Sequence, residues 1–166
     1  MKKSTRGAKR INLPLTMQFC YGNKELMSTV YLALGSNLGD RLEYIHRAIK
    51  ELEACGLNVL KLSTIIETDP VGGIAQGKYL NAILKANTGL SPEDLHVFTQ
   101  SIERKLGRVK KNMNGPRVID IDILLYDDIK LVTPRLLIPH PRMLARAFVM
   151  QPLSEIEPEL CASLKV

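Results

Sequence analysis

The run GPRVIDIDILLYDD, residues 115–128, alternates isoleucine with aspartate, and few folds can house it. In an extended strand, side chains two apart share a face and lie about 6.6 Å apart along the chain. Ile119, Ile121, Ile123 and Leu125 then form one face, and Val118, Asp120, Asp122 and Leu124 the other. A sheet containing this strand needs an apolar layer against the isoleucines and positive charge against the aspartates. Two unpaired carboxylates side by side repel and raise one another's pKa. A divalent cation is one source of that charge: Asp oxygens are hard ligands suited to Mg2+, and a carboxylate pair can hold two ions roughly 3.5–4 Å apart. A polar strand face salt-bridged to nearby arginines is the other.

The remaining pattern supplies the apolar layer. Residues 29–34 form a short apolar run that ends in the turn residues Gly35-Ser36-Asn37. A helix follows with Asn37 as its expected N-cap, a stripe of Leu42, Ile45, Ile49 and Leu52, and Gly56 as its stop. Residues 59–68 are rich in β-branched types and read as one strand, and 69–78 as a Pro/Gly loop. YLNAILKA, residues 79–86, alternates as a third strand, with Leu80, Ala82, Leu84 and Ala86 on one face. Ser91-Pro92-Glu93-Asp94 is a helix start, followed by a stripe of Leu95, Phe98, Ile102 and Leu106 and a stop at Gly107. With residues 118–126 as the fourth strand, the order is βαββαβ. That predicts an α+β, ferredoxin-like antiparallel sheet with helices on one face. The Pro-rich tail predicts a loop, a short helix near 141–149 and a closing segment.

Composition narrows the class. The chain has 166 residues, 45% of them hydrophobic, which suits one domain able to bury a core without staples. Lys2, Lys3, Arg6, Lys9 and Arg10 supply +5 of the net charge of +6, so the body is near neutral. Residues 1–26 are expected to be a disordered basic extension, and 27–166 a single domain. Cys20, Cys55 and Cys161 show no disulfide or zinc spacing, which favours a reducing cytoplasm. No stretch approaches the ~20 apolar residues of a membrane span.

Six basic residues and no acid lie between Arg104 and Arg117: Arg104, Lys105, Arg108, Lys110, Lys111 and Arg117. A carboxylate pair beside a cationic loop suits a polyphosphate substrate, because guanidinium forks neutralise charge that builds up during transfer. Neither a P-loop nor a GxGxxG fingerprint is present. A ferredoxin-like RNA-binding module is a weaker alternative, since Asp120 and Asp122 would repel phosphate unless metal intervened. Another Mg2+-dependent nucleotide transferase or phosphohydrolase is the second.

LALGSNLGDR at 32–41, YLNA at 79–82, GRV at 107–109, GPRVIDIDILLY at 115–126 and IPHPRMLARAFVMQPLSEIEPEL at 138–160 are together similar to the 6-hydroxymethyl-7,8-dihydropterin pyrophosphokinase family of folate biosynthesis. The resemblance runs from about Thr29 to Leu160. It implies a ferredoxin-like fold and transfer of diphosphate from ATP to the pterin hydroxymethyl oxygen, with AMP leaving. It implies that Asp120 and Asp122 bind two Mg2+ and that Arg108 and Arg117 approach the phosphates. Lys110, Arg135, His140 and Arg146 fall on the ATP side. Tyr79 and Phe148 match the rings that sandwich the pterin, Asn81 its amide-like edge, and Thr68, Val71 and Gly72 the loop lining the same pocket. Flat heteroaromatics gain from stacking on both faces, and Asn offers donor and acceptor together. A monomer that binds neither nucleic acid nor membrane is expected. Four positions depart from the pattern: Asn114 where an aromatic is common, Lys110 for a frequent arginine, Asp69 for a frequent proline, and an early end at Val166 that predicts an incomplete last strand pairing.

Overall fold

The computed structural model describes residues 27–71, 75–109 and 115–164. The basic extension and the positions Gly72, Lys110 and Asn114 lie outside them. The elements run β1 (Ser28–Ser36), α1 (Arg41–Ala54), β2 (Asn58–Leu62), β3 (Ile66–Thr68), β4 (Tyr79–Thr88), α2 (Pro92–Lys105), β5 (Asp120–Tyr126), β6 (Leu131–Val132), β7 (Leu137–Ile138), α3 (Ala147–Ile156) and α4 (Pro158–Ser163). The main sheet has the order β2-β4-β1-β5, with β3 also paired to β4, and its pairings are antiparallel. This is the expected ferredoxin-like arrangement; β6 and β7 form a separate ribbon.

The predicted second strand is broken in two. Residues 63–65 leave the ladder, and Ser63 repairs the gap: its N–H donates to Ile83 O, and Ile83 N–H donates to Ser63 Oγ, each at 2.9 Å. A short β-branched run thus reads as continuous strand while a serine carries the break.

One sheet face and helices α1 and α2 enclose the first core, which holds Val30, Leu32, Leu34, Ile45, Leu52, Leu84, Leu95, Ile102, Ile119, Ile121 and Ile123. Asp40, not Asn37, caps α1, accepting from Glu43 N–H at 3.1 Å. The buried stripe of α1 is Ile45, Ala48 and Leu52, whereas Leu42 is 44% exposed because the helix begins one turn later than Asn37 would start it. Ser91 caps α2 as predicted, with Pro92 behind it. Phe98 sits at the edge of the α2 stripe, where Thr99 and Glu103 are buried instead.

A second apolar layer covers part of the opposite sheet face. Tyr31, Ile83, Leu124, Leu125, Met143, Val149, Leu153, Ile156 and Cys161 pack together there. The helix expected near 141–149 is displaced to Ala147–Ile156, and the tail closes with a further helix, α4, in place of a last strand. Leu125 also departs from the simple alternation. A bulge in the β1–β5 pairing falls between Tyr31 and Leu32, so Leu125 joins Leu124 on the second layer and Tyr126 returns to the first.

Leu153 is fully buried between α3 and the sheet. Leu153→Ala is expected to lower unfolding free energy by about 2–5 kcal/mol in urea denaturation. A loss under about 0.5 kcal/mol, the scale of a surface substitution, would mean that the second layer does not pack as described.

Candidate active site

The sheet register sets Asn81, Gly35 and Asp120 in one cross-strand row, and Ile83, Ala33 and Asp122 in the next. Paired residues project to the same face, so both aspartates and Asn81 emerge on the side away from α1 and α2. Small residues on the central strand leave space between them. A Cβ on Gly35 would lie 3.3 Å from Asn81 Oδ1, tight enough to displace it.

That space is a cavity of about 320 Å3, whose lining includes Gly35, Thr68, Val71, Tyr79, Asn81, Arg117, Asp120, Asp122, Arg146 and Phe148. Asn81 Nδ2 donates to Thr68 Oγ1 at 2.7 Å, and Tyr79 Oη donates to Gln76 Oε1 at 3.3 Å. Phe148 comes from the start of α3, and the Arg146 guanidinium lies 5.5 Å from its ring centroid, a cation–π approach. A second cavity of about 270 Å3, lined by His96, Thr133, Arg135, Leu136, His140 and Pro141 among others, also reaches Asp122. The two cavities therefore meet at that carboxylate.

Guanidinium groups supply the positive charge that the aspartate pair requires. Arg108 Nη1 stands 2.8 Å from Asp120 Oδ1, and Arg117 Nη1 2.7 Å from Oδ2. Arg146 Nη1 is 3.7 Å and His140 Nε2 4.0 Å from Asp122 Oδ2. Burial and the neighbouring Asp120 charge push the Asp122 carboxyl up to about 6, against the pull of Arg146, Arg108 and Arg117. Mutual repulsion between the two acids is thus felt, as the sequence predicts. His140 is held beside β5 by its N–H, which donates to Leu124 O at 2.8 Å. Its Nδ1 accepts from Arg142 N–H at 3.2 Å, which assigns the proton of the neutral ring to Nε2, facing Asp122. Burial, Arg146 and Arg142 all lower the His140 pKa, favouring that neutral ring.

Two residues at the site are not among the site residues expected from the sequence. Glu103, in the last turn of α2, is buried; its Oε1 accepts from Ile121 N–H at 2.8 Å, and its Oε2 pairs with Arg108 Nη1. Burial raises its carboxyl to about 7, against the hydrogen bond from Ile121 and the charge of Arg108. Its signal in the sequence is position: an acid four residues after Thr99 and eight after Leu95 falls on the buried stripe. Asn37, expected to cap a helix, instead joins two loops. It donates through Nδ2 to Gln76 Oε1 and Gly77 O, while its Oδ1 accepts from Arg117 N–H at 2.8 Å.

The residues fit Mg2+. Among the described residues no cluster of three or more His, Cys, Asp or Glu side chains forms a closed metal cage. Two carboxylates facing a cavity are what an ion needs if it keeps several waters and completes its shell with substrate phosphates.

Comparison with known proteins places the chain in a family. The family model described as 7,8-dihydro-6-hydroxymethylpterin-pyrophosphokinase (HPPK) matches residues 31–158. The chain is 47% identical over 134 residues to the 2-amino-4-hydroxy-6-hydroxymethyldihydropteridine pyrophosphokinase of Aquifex aeolicus, covering 81% of this chain and 83% of that one. It is 46% identical over 127 residues to the enzyme of the same name from Bacillus subtilis, covering 76% of each. In fold it is similar to a crystal structure of Plasmodium falciparum HPPK-DHPS, with a TM-score of 0.65 at 16% identity over 86% of this chain. It spans 44% of that longer chain. The chain belongs to the 7,8-dihydro-6-hydroxymethylpterin-pyrophosphokinase family.

Proposed function

We propose that the chain transfers diphosphate from ATP to the hydroxymethyl group of 6-hydroxymethyl-7,8-dihydropterin, releasing AMP, as a step of folate biosynthesis, with one substrate in each of the two cavities. Family membership supports the reaction. The observation that carries the assignment of the site is the meeting of both cavities at Asp122, with Tyr79 and Phe148 lining one cavity, Arg135 and His140 the other, and Arg117 and Arg146 in the wall of the first beside the aspartates.

In this reading Tyr79 and Phe148 stack on the pterin, and Asn81, its Nδ2 already engaged by Thr68, offers Oδ1 to the ring edge. Thr68 and Val71 complete that wall, and the family resemblance assigns Gly72 to the same substrate. The other cavity takes the adenosine and α-phosphate beside Arg135 and His140, and the family resemblance assigns Lys110 to ATP. The hydroxymethyl oxygen then attacks the β-phosphorus at the junction, its proton passes to solvent, and the bond from that phosphorus to the α-phosphate oxygen breaks, with AMP leaving. Asp120 and Asp122 would hold two Mg2+, and the chemistry such ions would supply is polarisation of the phosphoryl oxygens and of the attacking hydroxyl. Arg108, Arg117 and Arg146 supply guanidinium N–H groups to the oxygens where charge develops. No side-chain general base is required.

One chain's described residues line both cavities, which supports a monomeric working unit. No helix of the described residues is long and apolar enough to cross a membrane. Use of ATP fits the cytoplasm, and the carboxylate face argues against RNA as a ligand.

Release of AMP on mixing the protein with ATP, Mg2+ and the hydroxymethyl pterin tests the reaction itself. Asp122→Asn is expected to reduce that rate by about a hundredfold or more without altering the circular dichroism spectrum; normal turnover would remove Asp122 from the metal site. Phe148→Ala is expected to weaken pterin binding by about tenfold and ATP binding much less. Equal losses in calorimetry would take the ring out of the pterin wall.

The raised Asp122 carboxyl predicts a pH effect of definite sign. Its folded value of about 6 exceeds the ordinary 3.8, so between those values the folded state holds more proton than the unfolded one. Its contribution to stability therefore falls as pH rises through that window. Without Mg2+, Asp122→Asn should gain in urea midpoint relative to the parent chain from pH 4 to pH 7, and added Mg2+ and nucleotide should reverse the gain. A difference that does not vary with pH would contradict the assigned environment.

A further inference from the structure

Glu103 is a buried carboxylate for which the transfer chemistry has no task. Its side chain is only 6% exposed, and burying a charge is costly unless it is paired and hydrogen-bonded. Both oxygens are used. Oε1 accepts from the N–H of Ile121, the residue between the two aspartates, and Oε2 pairs with Arg108 Nη1. The backbone repeats the link, since Arg108 N–H donates to Glu103 O at 2.9 Å. One side chain thus fixes the distance between Arg108 and the strand that bears the acids.

Asp120 competes for the same guanidinium. Its Oδ1 faces Arg108 Nη1 and its Oδ2 faces Arg117 Nη1, so a cation that takes Asp120 must displace N–H donors from it. A released arginine relaxes into water unless another acceptor keeps it. Arg117 has one in Gly115 O, which accepts from its Nε at 3.1 Å. Arg108 has Glu103. Resting on the function proposed above, we infer that Glu103 is a positioning residue: it retains Arg108 within reach of the transferring phosphates once Asp120 is given over to a cation. An uncharged isostere cannot do this. In Glu103→Gln the amide oxygen can still accept from Ile121 N–H, but its NH2 then meets the Arg108 N–H donors.

Two measurements on the full chain test it. In steady-state kinetics, Glu103→Gln is expected to lose about a hundredfold in kcat, the scale of a misplaced group, with the pterin KM within about twofold. The double variant Glu103→Gln/Arg108→Ala should be no slower than Arg108→Ala alone, because the two residues act as one unit. Effects that multiply in the double variant, or a loss that only tracks the unfolded fraction, would overturn the inference. The second measurement needs neither turnover nor metal. Asp120→Asn stands in for an Asp120 whose charge is taken, and exchange of the Arg108 guanidinium protons is followed by 15N NMR. They should stay protected in Asp120→Asn; loss of protection in that variant alone would sink the proposal, even if Glu103→Gln did not fold. A parent chain that forms no AMP would remove the reaction but leave this result standing, so the two failures are distinguishable.

Discussion

Asp120 sits between two guanidinium groups, and much of the site follows from that arrangement. Asp120, Asp122 and Glu103 carry a nominal charge of −3, and Arg108, Arg117 and Arg146 carry +3, within one set of direct or near contacts. A site so balanced resists either partner alone. A divalent cation added to three guanidiniums leaves excess positive charge, and a triphosphate added to three carboxylates leaves excess negative charge, each in surroundings that screen poorly. Added together they offset one another. The arrangement thus favours nucleotide and ion as a pair, with the arginines moving from carboxylate to phosphate oxygens of similar geometry.

The sheet sets the spacing within which this exchange takes place. Strands lie about 4.8 Å apart, so Asn81 on β4 and Asp120 on β5, with Gly35 between them, have backbones about 10 Å apart. That gap accommodates a hydroxymethyl arm reaching from a ring held over β4 toward phosphates held over β5. Gly35 and Ala33 keep the floor low, and a larger side chain at either position would stand where the two substrates meet. Sheet register is rigid compared with a loop, so the separation does not depend on either loop's conformation.

Local patterning carried most of the architecture in readable form, because hydrophobic period and cap chemistry report on nearest neighbours. The Ile119, Ile121 and Ile123 face, the Ser91-Pro92 start and the glycine stops, Gly56 at φ 93° and Gly107 at φ 96°, are all of that kind. What escaped depends on partners distant in sequence. Leu125 changes face because of a bulge set by β1, a strand about 95 positions away. Asn37 has the right chemistry for a cap, yet its contacts are with residues 76, 77 and 117. Glu103 falls on the buried stripe of α2, but the pattern does not name its partners until α2 is docked against β5. At the site, the tandem aspartates and the arginine-rich stretch were legible as chemistry, whereas the assignment of Tyr79, Asn81 and Phe148 to one pocket came through resemblance to a family. The structure brings those three together around one cavity.

The walls of that cavity depend on contacts remote from the reaction. Arg146 and Phe148 stand at the start of α3, a helix whose N-terminus has no side-chain cap and whose interior contains Pro152. Its position is set from the other end. Glu157, just past the helix, pairs with Lys85 at 2.6 Å and Lys61 at 3.1 Å, and Lys61 also donates to Ile156 O. Glu155 accepts from both the N–H and the hydroxyl of Thr64, in the break between β2 and β3. These polar ties join the helix to the far edge of the sheet, while Leu153 and Val149 seat it on the apolar face. The break in the predicted second strand therefore has a use: residues that left the ladder offer donors to the helix that carries half of the ring-binding wall. Pattern along the strand shows only the loss of pairing, and the compensating partner appears when a helix about 90 residues later folds back.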